Sequence, residues 1–173
     1  AQALLDTSDH PWRVGFERFE RTATWARDAA IFRAIKLARD GQPWWDWPDA
    51  LRRCDPDAVN AAAVEHASDV RQWCAALYLF ERQWSDVRSY AAARGIRLMG
   101  DMPIYVGRDS ADVWMNQGLF QLDEHGIPTA VAGVPPDAYS ETGQLWGNPL
   151  FDWDAMAAQD WAWWAKRCRR MLE

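Results

Sequence analysis

The residues best able to do chemistry lie in one stretch, from Ala132 to Leu150. Tyr139 and Trp146 offer flat rings there. Asp137, Ser140, Glu141, Gln144 and Asn148 offer groups that hydrogen-bond hydroxyls, and Pro135 and Pro136 stiffen the start. Rings beside neutral and acidic hydrogen-bonding groups, with little positive charge, suit a neutral polyhydroxyl ligand better than a phosphate. A self-packed surface loop draws on the same composition, so these residues alone leave both readings open. A second candidate is Asp101, inside the mostly apolar run from Ile96 to Val106. A carboxylate at that place could accept from a sugar hydroxyl, hold an arginine, bind a metal or cap a turn.

The elements that must position these residues are read from apolar spacing. Residues 1–15 show no period and read as loop. Phe16, Phe19, Trp25, Ala29, Phe32 and Ile35 recur at helical spacing, which predicts a helix from Phe16 to Asp40, stopped by Gly41 and barred from continuing by Pro43. Trp44-Trp45-Asp46-Trp47-Pro48 is an aromatic connector. Asp55-Pro56 pairs an N-cap with proline at the first helical position. A long helical pattern then runs from Val59 to Ala91, with a break expected near Ala67-Ser68 and an end at Gly95. Ile96 to Val106 reads as a buried strand, with Pro103 unable to donate to a ladder. Gly107 to Asp152 reads as one long loop, of the kind that is usually functional when ordered. Trp153 to Glu173 returns to helix, with Trp153, Met156, Trp161, Trp164, Cys168 and Met171 on its apolar side. The expected division is a mostly helical part, 1–94, and an α/β part, 95–173. Helix, glycine and buried strand make one step of an α/β architecture, and in parallel barrels the loops after the strands build the active face.

Composition narrows the function. The net charge is −6, and no run of Lys and Arg interleaves with aromatics, so nucleic acid is not an expected partner. No apolar stretch approaches the ~20 residues that span a bilayer, so no membrane is expected either. No secretory apolar region opens the chain, which points to the cytoplasm. Cys54, Cys74 and Cys168 follow no zinc spacing and are expected as reduced structural thiols. His10, His66 and His125 are too scattered for a metal site. Thirteen of the 173 residues are tryptophan, several times the usual share. Trp stacks on sugar faces, but most of these are expected in core or interface packing.

Motifs make the reading specific. Gly95 to Val106, GIRLMGDMPIYV, resembles the "GIxxxGDxPIxV" segment of the amylomaltase-type 4-α-glucanotransferases, glycoside hydrolase family 77. Asp109 to Trp114 is similar to the family's "DSAEVW", and Leu122 to Pro128 to its "LDexGxP". Val131 to Leu150 resembles "VAGVPPDyFSxTGQxWGNPL" almost position for position. Trp44 to Pro48, Asp55-Pro56 and Phe80-Glu81-Arg82-Gln83-Trp84 are similar to the family's helical insertion. The likeness runs in collinear order over roughly residues 20–165. Ala138 departs from it where relatives carry an aromatic, and Phe151 where tyrosine is common; either change could alter acceptor preference.

The resemblance implies a partial (β/α)8 TIM barrel of the α-amylase clan, with a helical insertion before the third strand. It implies transfer of an α-1,4-glucan segment to the 4-hydroxyl of glucose or another glucan, by retaining double displacement through a covalent glycosyl-enzyme. The implied partners are an α-1,4-glucan or maltooligosaccharide donor and a glucose or glucan acceptor, and no cofactor is implied. The family's nucleophilic Asp and acid/base Glu are expected beyond Glu173, so the chain reads as an interior piece, inactive alone. Asp101 carries over as a supporting group that binds hydroxyls. The implied substrate-binding set is Asp101, Pro135, Asp137, Tyr139, Ser140, Trp146, Gly147, Asn148 and Pro149. The alternative function is a non-catalytic maltooligosaccharide-binding module.

Overall fold

The computed structural model describes residues 1–7 and 9–172. They fall into two units, Ala1–Gln42 with Asp55–Met99, and Pro43–Cys54 with Gly100–Glu173.

The first unit is helical: α1 (Gln2–Asp6), α2 (Arg13–Thr22), α3 (Thr24–Ala38), α5 (Pro56–Glu65) and α6 (Ala67–Ala92), with α4 (Asp49–Arg52) belonging to the other unit. Its core gathers Leu4, Phe16, Ala30, Cys74, Ala75 and Tyr78, with Phe19, Val70 and Trp73 packed against it. Ala30 and Ala75 are small, which lets α3 and α6 approach closely. Gly15 faces the Tyr78 hydroxyl so closely that a Cβ there would overlap it. The expected loop at 1–15 therefore holds α1 and the start of α2. Leu4 is buried in the core, and Arg13 ties the two helices by donating Nη1 to the carbonyls of Leu4 and Leu5 at 3.3 and 3.0 Å.

The single helix expected from Phe16 to Asp40 is two, separated at Ala23. No glycine or proline marks the break. Thr22 Oγ1 donates to Arg18 O at 3.0 Å, a local bond that competes with helix continuation. α3 ends as expected: Asp40 and Gly41 have φ of 51° and 79°, and the Gly41 N–H reaches back to Lys36 O at 2.8 Å. Asp55 caps α5, its Oδ1 accepting from the Asp57 and Ala58 N–H groups at 3.1 Å each. The break between α5 and α6 falls at His66, beside the expected place.

The second unit is built around tryptophans. Trp44 and Trp114 are fully buried and Trp47 nearly so; Trp47 and Trp114 meet edge to face at 5.2 Å. Each buried indole needs a partner for its N–H. Trp44 Nε1 donates to Arg108 O and Trp114 Nε1 to Leu51 O, both at 2.7 Å. The 43–54 connector is thereby fixed to α7 (Ala111–Met115) and its flanks.

Several expectations for this part of the chain are corrected. The long loop expected from Gly107 to Asp152 holds α7 and an antiparallel pair, β1 (Val131–Val134) with β2 (Gln144–Pro149). The run from Ile96 to Val106 forms no strand: it has no ladder and bends at Ile104 and Tyr105, and Ile96, Leu98, Met99 and Ile104 are exposed. A buried strand exists only through partners on its edges, and among the described residues β1 and β2 pair only with each other. The terminal helix is also two, α8 (Trp153–Ala158) and α9 (Ala162–Leu172). Asp160 and Trp161 between them both take positive φ, 49° and 56°. Of the apolar side expected there, Met156 is buried, while Trp153, Trp161, Cys168 and Met171 are exposed.

Candidate functional site

The β1–β2 hairpin carries most of the candidate residues. Gly133 and Leu145 are paired, and Val134 with Gln144. At this crossing the strands touch through glycine: a Cβ on Gly133 would lie 2.6 Å from Gln144 O, and one on Gly143 would overlap Val134 O. Gly143 also has φ of 71°, which a side chain disfavours.

The tip is held by its own polar groups. Asp137 Oδ1 accepts from the Tyr139 and Ser140 N–H groups at 2.8 Å each, an Asx turn. Asp137 N donates to Ser140 O at 2.9 Å, and Ser140 Oγ donates to Gly143 O at 2.8 Å. Local closure leaves the Tyr139 ring nothing to pack on, and it is 96% exposed. Pro135 is exposed at the start of the tip.

Trp146 stands on β2 where the ladder is irregular. Val131 pairs with Pro149 but Gly133 with Leu145, so β2 carries extra chain between these points. Gly147 lies in that span with φ of 75° and open space where a Cβ would go. A bulge of this kind re-aims the neighbouring side chain. Trp146 is half-exposed, its Nε1 donating to Gln144 Oε1 at 3.0 Å and its ring edge-on to Tyr105 at 6.2 Å. Asn148 Nδ2 donates to Val106 O at 2.9 Å, which ties β2 to the end of the 96–106 segment. Pro149 is fully buried, so its place in the structure is packing beneath the hairpin.

Tyr139, Ser140, Trp146, Gly147 and Asn148 are thus brought onto one hairpin, with Asp137 bound into its tip. Asp101 is exposed on the irregular segment upstream of Tyr105. Among the described residues no three His, Cys, Asp or Glu gather closely enough to hold a metal ion. Two residues stand out that the residue types alone did not single out. Leu145 is apolar and exposed on β2, and Tyr105 touches Trp146. The signal for Tyr105 is an aromatic within a mostly apolar run, which a buried-strand reading counts as packing.

Arg108 supports the other side of this unit. Its guanidinium lies over the Trp45 ring at 3.6 Å and donates Nε and Nη2 to Gly126 O at 3.1 and 2.9 Å. Burial holds its pKa below the usual value, against the pull of Asp123, Asp46 and Asp109. Asp123 is held below the ordinary carboxylate value, first by the Ile127 N–H and also by that of His125. Gly126, with φ of 74°, leaves the room that the Trp44 ring fills.

Comparison with known proteins supplies what the site alone does not. A solved amylomaltase from Streptococcus agalactiae, in complex with acarbose, superposes on 98% of this chain with a TM-score of 0.90 and 34% identity. The fold is therefore of the amylomaltase class. The family model described as 4-alpha-glucanotransferase matches residues 2–173. The chain belongs to the 4-α-glucanotransferase family, glycoside hydrolase family 77. The 4-alpha-glucanotransferase of Thermus thermophilus is 46% identical over 162 residues, 93% of this chain and 32% of that protein. The chloroplastic/amyloplastic 4-alpha-glucanotransferase of Solanum tuberosum is 46% identical over 158 residues, 91% of this chain and 27% of that protein. The chain spans about a third or less of the relatives it matches.

Proposed function

We propose that this protein transfers segments of α-1,4-glucans to the 4-hydroxyl of glucose or of another glucan. The observation that carries the reading is the hairpin with its Asx-turned tip, exposed Tyr139 and half-exposed Trp146, in a chain of the 4-α-glucanotransferase family. Flat rings beside hydroxyl-binding groups suit a glucan. In the reaction the glycosidic bond from C1 of the donor breaks, and its 4-oxygen leaves with a proton from a carboxylic acid. C1 is held by a carboxylate until the acceptor's 4-oxygen takes its place and returns a proton.

In this reading the hairpin covers the glucan and Asp101, on the segment between α6 and α7, binds its hydroxyls, with the helical part as an insertion in a barrel of the α-amylase clan. The nucleophile and acid/base are supplied from outside residues 1–173. Family resemblance supports that division of labour, as does the share of the relatives' length that the chain spans. The cytoplasm is the proposed location, which the three free thiols suit.

Maltotriose given to the protein expressed from its complete coding sequence should yield glucose together with maltooligosaccharides longer than three units. Residues 1–173 alone should release no glucose. Shorter products without longer ones would mean hydrolysis and overturn transfer. Turnover by pure residues 1–173 would overturn the placement of the catalytic carboxylates.

A further inference from the structure

Trp146 projects from a bulged strand, yet two groups constrain its ring: Gln144 at the indole nitrogen and Tyr105 at the ring edge. Tyr105 in turn lies almost parallel to Phe151, at 6.2 Å and 15°. Phe151 is 1% exposed and is walled by Phe120 at 5.3 Å, Trp153 at 5.1 Å and Trp164 at 5.2 Å. A close-packed aromatic cluster fixes the rings inside it, and a ring stacked on the cluster inherits that order. Tyr105 is therefore the ring through which the exposed indole is referred to a rigid core. Among the described residues these contacts involve the Tyr105 ring and not its hydroxyl.

We infer that Tyr105 is a positioning residue for glucan binding: its ring sets the orientation of Trp146 against the Phe151 cluster, without itself holding the sugar. The inference rests on the reading of Trp146 as a glucan-facing ring. An oriented ring binds a sugar face without first losing its own rotamer freedom, so loosening it weakens binding.

The test uses the full-length protein labelled with 5-fluorotryptophan, with the Trp146 fluorine line assigned by Trp146→Phe. Tyr105→Phe should leave that line in place and the maltotriose KM near wild type. Tyr105→Ala should move or broaden it and raise KM about 2- to 12-fold, the worth of one aromatic pair, with kcat close to unchanged as for lost uniform binding. The Trp44 and Trp114 lines report whether the unit is folded. If the alanine variant loses them, Tyr105→Leu, which keeps apolar packing without a ring, carries the same expectation. An unmoved Trp146 line in the variant lacking a ring overturns the inference. So does a Tyr105→Phe variant as impaired as the alanine one, since that would assign the hydroxyl a direct contact with the glucan. If no variant or wild type makes transfer products, the function reading fails, while the fluorine lines still decide what Tyr105 does.

Discussion

At the scale of single residues, burial decides which thiol can react. Cys74 is 2% exposed in the helical core, and burial, reinforced by Glu20, raises its pKa from 9.0 to about 11. Cys168 is exposed and Cys54 half-buried beside the Met115 sulfur at 3.5 Å. A thiol-labelling reagent should take Cys168 first, Cys54 more slowly and Cys74 only on unfolding. The same shift has a pH consequence. In the folded chain Cys74 keeps its proton at pH values where the unfolded thiol has lost it. Its contribution is full below about pH 9 and is lost as pH rises toward 11. We expect the stability of Cys74→Ala to fall less steeply than wild type across that window, by about 2 kcal/mol at its top. Denaturant titrations at pH 8 and pH 11 check this; equal slopes would exclude the buried thiol as the cause.

At the scale of elements, caps and breaks behave differently. Asp55 makes both of its capping bonds within three residues, so its effect is local and legible in Asp55-Pro56. Asp55→Ala should destabilise the chain by about 1 kcal/mol, and Asp55→Asn should recover most of that, in thermal melts at neutral pH. A loss no larger in alanine than in asparagine would mean that the cap does not hold α5. The breaks at Ala23 and at Asp160-Trp161 carry no glycine or proline. At the second of them even a bulky residue, Trp161, takes positive φ. Periodicity cannot see such a break, because the apolar spacing resumes in phase beyond it.

At the scale of the whole molecule, the described residues leave much apolar surface uncovered. On α6, Phe80, Trp84 and Val87 share one exposed face, and along the following segment Met99 is 98% exposed, with Ile96, Leu98 and Ile104 open as well. Surfaces of this extent associate in water. Residues 1–173 alone should bind a hydrophobic dye and run above their monomer mass in light scattering, and Leu98→Lys with Met99→Lys should reduce both. A monomer that leaves the dye dark would show that these side chains find cover within the chain.

The sequence by itself determined the family, because long motifs in collinear order are a property of residue identity and need no coordinates. It also determined the local signals: the Asp55 cap, the stop at Gly41 and the end of α6 before Gly95, each set by neighbours a few residues away. Only the tertiary structure decided that 96–106 takes no strand, since a strand is a relation to partners that no single segment encodes. It alone decided that the stretch after Gly107 closes into a hairpin, with the register fixed by Gly133, Gly143 and Gly147. It also sorted the tryptophans: Trp44 and Trp114 are buried where distant carbonyls, those of Arg108 and Leu51, accept their N–H groups.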